Sequence, residues 1–343
     1  MTTVQDTAET IQKARRPEDL FGTAASDSAT RDAARRYYHQ LAAIIHPDRV
    51  GTRDVAVAAG AFARLADLYQ RWLDTDDTAF EVTGARGRYP VGTLHARGSI
   101  TDVFRSGTDH VVKIPRRPAA NRLLAGERNA LRDIATVAAE HDWLRPYFPE
   151  LVDTVDHIDA ATGEHRTVNV LGALTDGFVT FEEVRAAYPD GLDPRDYAWM
   201  HRRLLRCLAG AALAGWVHTA ISPANVLVHP RQHGIVLVGW SFATRPGNPA
   251  AATMKSLDYP PEIRDAVSPA TDIHQAHRLM LTMLGDRARD SDTDAMRAFA
   301  AGCLQTDPRL RPDAADLLGE FDDLLDRLYG KRRFRPFELT KGK

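Results

Sequence analysis

The chain has 343 residues, 44% of them hydrophobic, and a formal net charge of −2. That length exceeds one small module and fits two or three compact units, each able to bury a core. Near-neutral charge excludes a global pull toward nucleic acid or an anionic membrane surface. The only cysteines, Cys207 and Cys303, cannot build a disulfide framework, so a reducing, cytoplasmic setting is expected. Residues 1–10 are polar and carry Asp6 and Glu9, unlike a signal peptide. The longest apolar run, Leu208 to Val217, is about half of a bilayer span, so no membrane partner is expected. The high content of Ala, Arg and Asp suits a GC-rich bacterial genome.

In chain order, the first strong signal is helical. Residues 31–45 place Ala34, Tyr38, Leu41 and Ile45 at helical spacing, with Arg31, Arg35, Arg36 and His39 on the other sides. Pro47 cannot extend that helix, so the chain turns at His46-Pro47-Asp48. Thr52 can cap a second helix with Val55, Ala58, Phe62, Leu65, Ala66, Tyr69 and Leu73 on its apolar face. Two antiparallel helices then present a His, an Asp and a basic face at one end of a hairpin. This arrangement resembles a J-domain, the co-chaperone module that stimulates ATP hydrolysis by DnaK-type chaperones, with Glu18 to Gly22 where its short first helix would lie. The resemblance covers about residues 15–74. It implies that His46, Pro47 and Asp48 engage the chaperone while Arg31, Arg35 and Arg36 steer onto an acidic surface.

Residues 74–90 read as a linker, since Asp74 to Thr78 and Thr83 to Arg88 are rich in turn-forming residues. Beyond them, 89–95, 101–105 and 110–114 are short strand-like runs, and 118–138 has helical spacing through Leu123, Leu124, Ala130, Leu131 and Ile134. Strands follow at 151–157 and 167–171. Asp193-Pro194 opens a helix that runs to Gly215. Short strands at 226–228 and 235–238 come next, then helices near Thr271, Asp294 and Asp313. A small sheet with one helix therefore precedes a larger helical part.

That order resembles a protein kinase, over about residues 88–330. His218 to Asn225 stands where the family has its catalytic loop, H-R-D-x-x-x-x-N. The His and Asn match in spacing, but the position of the catalytic Asp is Ala220. The strand 235–238 leads into Gly239-Trp240-Ser241, where the family has D-F-G, so the metal-binding Asp is missing too. Alanine cannot accept a proton and glycine has no oxygen for magnesium. Residues 92–103 carry Gly92 and Gly98 but no G-x-G-x-x-G, and a plain hairpin is the better reading. Scaffold positions persist. Lys113 and Glu127 match the strand lysine and its helix partner. Asp272 matches the residue that braces the catalytic loop, and Glu262 and Arg311 match an ion pair of the large lobe. The resemblance implies a pseudokinase.

Lys113, Glu127 and Asn225 are candidate nucleotide-binding residues, with a structural role favoured because the metal partner is absent. His274 and His277, and His229 and His233, lack partners at metal-ligand spacing, so no metal is expected. The expected fold class is α+β, with an all-α J-domain hairpin at 1–77, a linker at 78–90, a small β-rich lobe at 91–172, a large helical lobe at 173–330 and a basic, solvated tail at 331–343. The expected function is a non-catalytic co-chaperone or adaptor that needs no cofactor, with ATP held at most without turnover. Its partners are a DnaK-type chaperone and an unidentified client. Two alternatives stay open. One is a divergent phosphotransferase using residues such as Asp176, Asp190 or Asp193, and the other is a scaffold without chaperone stimulation.

Overall fold

The first helix, α1 (Val4–Lys13), is set by its own first turn. Thr3 Oγ accepts the Asp6 N–H at 3.1 Å, and the Asp6 carboxylate accepts the Thr3 N–H at 3.2 Å. This reciprocal pair satisfies two backbone donors that a helix start leaves open. Its buried residues are Thr7, Ala8 and Ile11. The sequence reading assigns no helix here, because a polar segment with a single narrow apolar stripe resembles a loose terminus. The computed structural model describes residues 3–22, 28–47, 50–51, 54–75, 80–158, 163–286 and 290–339. They form two units: unit 1 is Met1–Thr83, Gly87–Gly98 and Asp102–Thr108, and unit 2 is the remainder.

Unit 1 continues with α2 (Glu18–Phe21), α3 (Ser28–Ile44) and α4 (Val55–Thr75). Tyr38 stacks on Tyr69 at 4.3 Å, and His46 meets Phe62 edge-on at 5.5 Å. Rising numbers on α3 thus pair with falling numbers on α4, so the two helices are antiparallel. Ile11, Phe21, Leu41, Ile45, Leu65, Leu68 and Trp72 form the core. Trp72 is fully buried and gives its indole N–H to Gly22 O at 2.9 Å. Truncating such a side chain to Ala would cost about 3–5 kcal/mol. Arg64 donates to Ala14 O at 2.6 Å and Ile11 O at 3.3 Å, satisfying carbonyls at the end of α1.

The expected linker 78–90 needs correction. Strands β1 (Glu81–Thr83) and β2 (Arg88–Pro90) pair antiparallel within it, Val82 opposite Tyr89, and both of those side chains are buried. Gly84 and Gly87, read as linker residues, lie in the turn between them, because turns and linkers use the same residue types. At Gly84 a Cβ would stand 2.3 Å from the Asp153 carboxylate, which itself accepts the Arg86 N–H at 2.7 Å. The expected strand 89–95 is likewise split: β2 ends at Pro90 and β3 (Leu94–Arg97) begins a second hairpin with β4 (Thr101–Ser106).

In unit 2, β7 (His165–Gly172) pairs antiparallel with both β5 (His110–Pro115) and β6 (Leu151–Ile158), and α5 (Asn121–Glu140) packs against them. A second sheet has the order β10 (Gly234–Leu237), β9 (Val226–His229), β8 (Val179–Thr180). The helices are α6 (Phe181–Ala187), α7 (Pro194–Leu213), α8 (Pro269–Leu284), α9 (Ser291–Gly302) and α10 (Ala314–Tyr329). Their starts follow sequence chemistry: Asp193 caps α7 with Pro194 behind it, and Asp313 caps α10 by accepting from Ala315 and Asp316 N–H at 2.8 Å. One core joins α5, α7, α8, α9 and α10 through Leu131, Ile134, Leu204, Met280, Ala300 and Phe321. Cys207 and Cys303 are both buried in it as free thiols, and burial pushes Cys303 up to about 12.

The tail also departs from expectation. Residues 331–339 are not solvated throughout: Phe337 is only 3% exposed, and Arg335 pairs with Asp193 and Asp196. Its run of basic residues masked two phenylalanines three apart, Phe334 and Phe337, and the second anchors the segment.

Candidate functional site

Two places carry the residues singled out above. In unit 1, His46 and Pro47 follow the end of α3, both half-buried, with His46 against Phe62. Asp48 lies outside the described residues. Arg35 and Arg36 are exposed on α3. Ten residues of helix place them about 15 Å along the axis from His46. Arg31 belongs to the same helix, but its side chain lies outside the description.

In unit 2, Lys113 projects from β5 and Glu127 from α5. Their side chains meet at 2.6 Å and are 8% and 2% exposed. The second Glu127 oxygen accepts from Asn169 Nδ2 on β7 at 2.9 Å. Asn169 is held in turn by Arg128, whose Nε donates to Asn169 Oδ1 at 2.7 Å and whose Nη2 donates to the Val155 and Val168 carbonyls at 2.9 Å. Each buried polar group therefore has its partner, which is the condition for such a network to be stable. Lys113 and Glu127 are thus brought together as the sequence spacing suggests. Asn169 and Arg128 were not foreseen. The legible trace was a single Asn inside the otherwise apolar run Val168 to Leu171.

The loop from His218 to Asn225 is fixed from below by α8. Asp272 accepts the His218 N–H at 2.7 Å and the Thr219 N–H at 2.8 Å, and Gln275 bridges Ile221 N and Thr219 O. Burial raises the Asp272 carboxyl to about 7 against the pull of those two N–H donors. Thr219 stands at φ 62, a left-handed geometry costly for a β-branched residue, and its hydroxyl donates to Phe242 O at 2.8 Å. His218 is completely buried and uses both ring nitrogens: Nδ1 accepts from Ala220 N at 3.2 Å, so Nε2 donates to Val238 O at 2.8 Å. Burial holds it down to about 4, so the ring is neutral.

Neither of the two positions that the sequence reading matches to a kinase's reacting residues carries a carboxylate. Ala220 is fully buried, and its carbonyl accepts from Asn225 Nδ2 at 2.8 Å. Gly239 adopts φ 88, and a Cβ built on it would meet the Asn225 amide at 2.7 to 2.8 Å. The Asn225 side chain thus occupies the space that a residue 239 side chain would need. Trp240 is fully buried beside it, edge-on to His218 at 4.8 Å and 5.5 Å from Phe148, with its indole N–H on Leu237 O. After it, Arg245 lies 4.3 Å over Trp216 and ion-pairs with Asp133 of α5 at 2.5 Å. Glu262 meets Arg311 at 2.5 Å and accepts from Thr271 at 3.0 Å. Burial works to raise Glu262, but the Arg311 and Thr271 bonds outweigh it and hold the carboxyl below its usual range.

Among the described residues no cluster of three or more His, Cys, Asp or Glu side chains could hold a metal ion. His277 instead pairs with His201 in the core, Nε2 to Nε2 at 3.2 Å. Of the carboxylates considered as substitutes, Asp193 caps α7 and also receives Arg335.

No family model and no curated protein matches this sequence. Among solved structures, vaccinia related kinase 3 is similar with a TM-score of 0.55 and 15% identity, over 76% of this chain and 93% of that one. The likeness shows the fold: a β-sheet lobe and a helical lobe arranged as in protein kinases. Among the described residues, no helix is long and apolar enough to cross a membrane.

Proposed function

We propose that this chain is a non-catalytic adaptor whose kinase-like part binds rather than phosphorylates, and whose N-terminal helices act as a J-domain on a DnaK-type chaperone. The observation that carries the first half is the packing of Asn225 against Gly239, beside an Ala220 that has no carboxylate. Phosphoryl transfer needs a group to position the acceptor and a metal to neutralise phosphate charge, and neither position supplies an oxygen for it. Lys113 and Glu127 then serve to hold α5 on the sheet, and Arg245 with Asp133 fixes the following segment to the same helix.

The second half rests on the tripeptide His46-Pro47-Asp48 between α3 and α4, with Arg35 and Arg36 exposed on the helix before it. In this reading the partner hydrolyses ATP and this chain needs no cofactor. A cytoplasmic location follows from that partner. The test is single-turnover ATP hydrolysis by a bacterial DnaK-type chaperone, with wild-type protein and Asp48→Asn side by side. Wild type should stimulate, and Asp48→Asn should not, while its circular dichroism is unchanged. Equal stimulation by a folded Asp48→Asn protein, or none by either, would remove the J-domain assignment and leave a scaffold.

A further inference from the structure

Residues 331–339 adopt neither helix nor strand after α10 ends at Tyr329 and is capped by Gly330, which takes φ 69. They run as an extended segment along the start of α7. Asp193 and Asp196 lie three residues apart on α7 and its cap, and together they flank the Arg335 guanidinium. Arg335 Nε is 2.6 Å from Asp196, and Nη2 is 3.3 Å from both carboxylates. Two residues on, Phe337 enters an aromatic slot, stacked on Tyr188 at 5.8 Å and edge-on to Trp199 at 6.3 Å. The Tyr188 hydroxyl donates to the Glu338 carbonyl at 2.5 Å. Residues i and i+2 of an extended chain face the same way, so Arg335 and Phe337 both point at the lobe. Pro336 between them restricts the chain to that extended form before it docks.

The groove has the parts of a peptide-recognition site: paired carboxylates that suit a planar guanidinium, an aromatic slot and a hydroxyl for one backbone carbonyl. Its occupant is anchored mainly by Phe337, the one buried side chain of residues 331–339, with Leu339 half-buried. The further contacts, Arg332 with Asp322 and Phe334 on His233, are made by exposed side chains and so add little. We propose that the groove formed by Tyr188, Asp193, Asp196 and Trp199 recognises extended Arg-x-Phe segments. The chain's own residues 335–337 fill it, and a partner protein presenting the same motif displaces them. The tail then acts as a tethered competitor, raising the threshold for partner binding through its high effective concentration. This inference is independent of the J-domain reading.

The probe is a fluorescein-labelled peptide of residues 331–343, titrated by anisotropy against the full chain. Arg335→Ala/Phe337→Ala empties the groove and should bind the peptide at least about tenfold more tightly than wild type. Adding Asp193→Asn and Asp196→Asn to that variant should weaken binding by about tenfold or more, and a peptide with Ala for its Arg335 and Phe337 should not compete. No binding by an emptied chain with wild-type circular dichroism would overturn the proposal, as would equal competition by the alanine peptide. Should the double variant fail to fold, Arg335→Ala alone keeps the Phe337 anchor. It should bind about threefold or more tighter than wild type, and equal affinity would overturn the proposal.

Discussion

Lys113 and Glu127 are each less than a tenth exposed, so their pair is governed by desolvation rather than by surface screening. Removing one partner strands the other. Lys113→Met should cost about 3–5 kcal/mol in urea unfolding, while Lys113→Met/Glu127→Leu should recover much of the loss. A single variant as stable as wild type would show that Glu127 does not depend on its lysine. Gly239 makes the complementary case, in which an added atom is the problem. Gly239→Ala places a Cβ at φ 88 and 2.7 Å from Asn225, so a loss of about 2 kcal/mol is expected, partly recovered in Asn225→Gly/Gly239→Ala. Unchanged denaturation midpoints would mean that this loop repacks freely. Both residues were legible in the sequence as matched or missing positions of a pattern. That Asn225 fills the space beside Gly239 was not, because a one-letter match at position 225 says nothing of where its amide points.

Among the elements, those with strong periodicity or clear caps read correctly from sequence: α3, α4, α5, α7 and α10 lie close to where apolar spacing puts them. Those that read poorly are short or locally ambiguous. The β1–β2 hairpin was hidden in turn-rich sequence, β8 has only two residues, and α1 shows only a narrow apolar stripe in a polar segment. Its start was nonetheless encoded, because Thr3 and Asp6 have capping-box spacing. Thr3→Ala should therefore reduce the stability of α1 by about 1 kcal/mol, seen as faster amide exchange over residues 6–10 and little change at α7. Equal exchange in both proteins would assign the helix to tertiary packing alone. The tail shows the opposite failure. Charge dominated its composition, and one buried phenylalanine decided its course.

Across the whole molecule the buried titratable groups set a direction for pH dependence. His201, His218 and His277 are fully buried; burial holds the last two at about 4 and His201 well below its usual value. A base whose folded pKa is depressed binds its proton in the unfolded chain first, so its stability contribution is present above about pH 6.5 and lost as pH falls toward 4. Asp272 acts the other way. Its carboxyl is raised to about 7, so between its ordinary 3.8 and that value it favours the fold at lower pH and offsets one histidine. Two unbalanced protons remain on the unfolded side, a limiting slope of about 2.7 kcal/mol per pH unit. Urea midpoints should drop clearly from pH 7.5 to 5.5. A midpoint that held or rose would show that these rings are hydrated or that Asp272 dominates.

The contact between Gly239 and Asn225 also bears on how the protein can change over generations. Glycine and aspartate codons differ by one base, so a carboxylate at position 239 is a single mutational step away. That step is costly, since the new side chain would sit at a positive φ and have to displace the Asn225 amide. Moving Asn225 first would free a buried loop from its bond to the Ala220 carbonyl. Each step is costly without the other, so a carboxylate at position 239 is best tolerated when both changes arrive together.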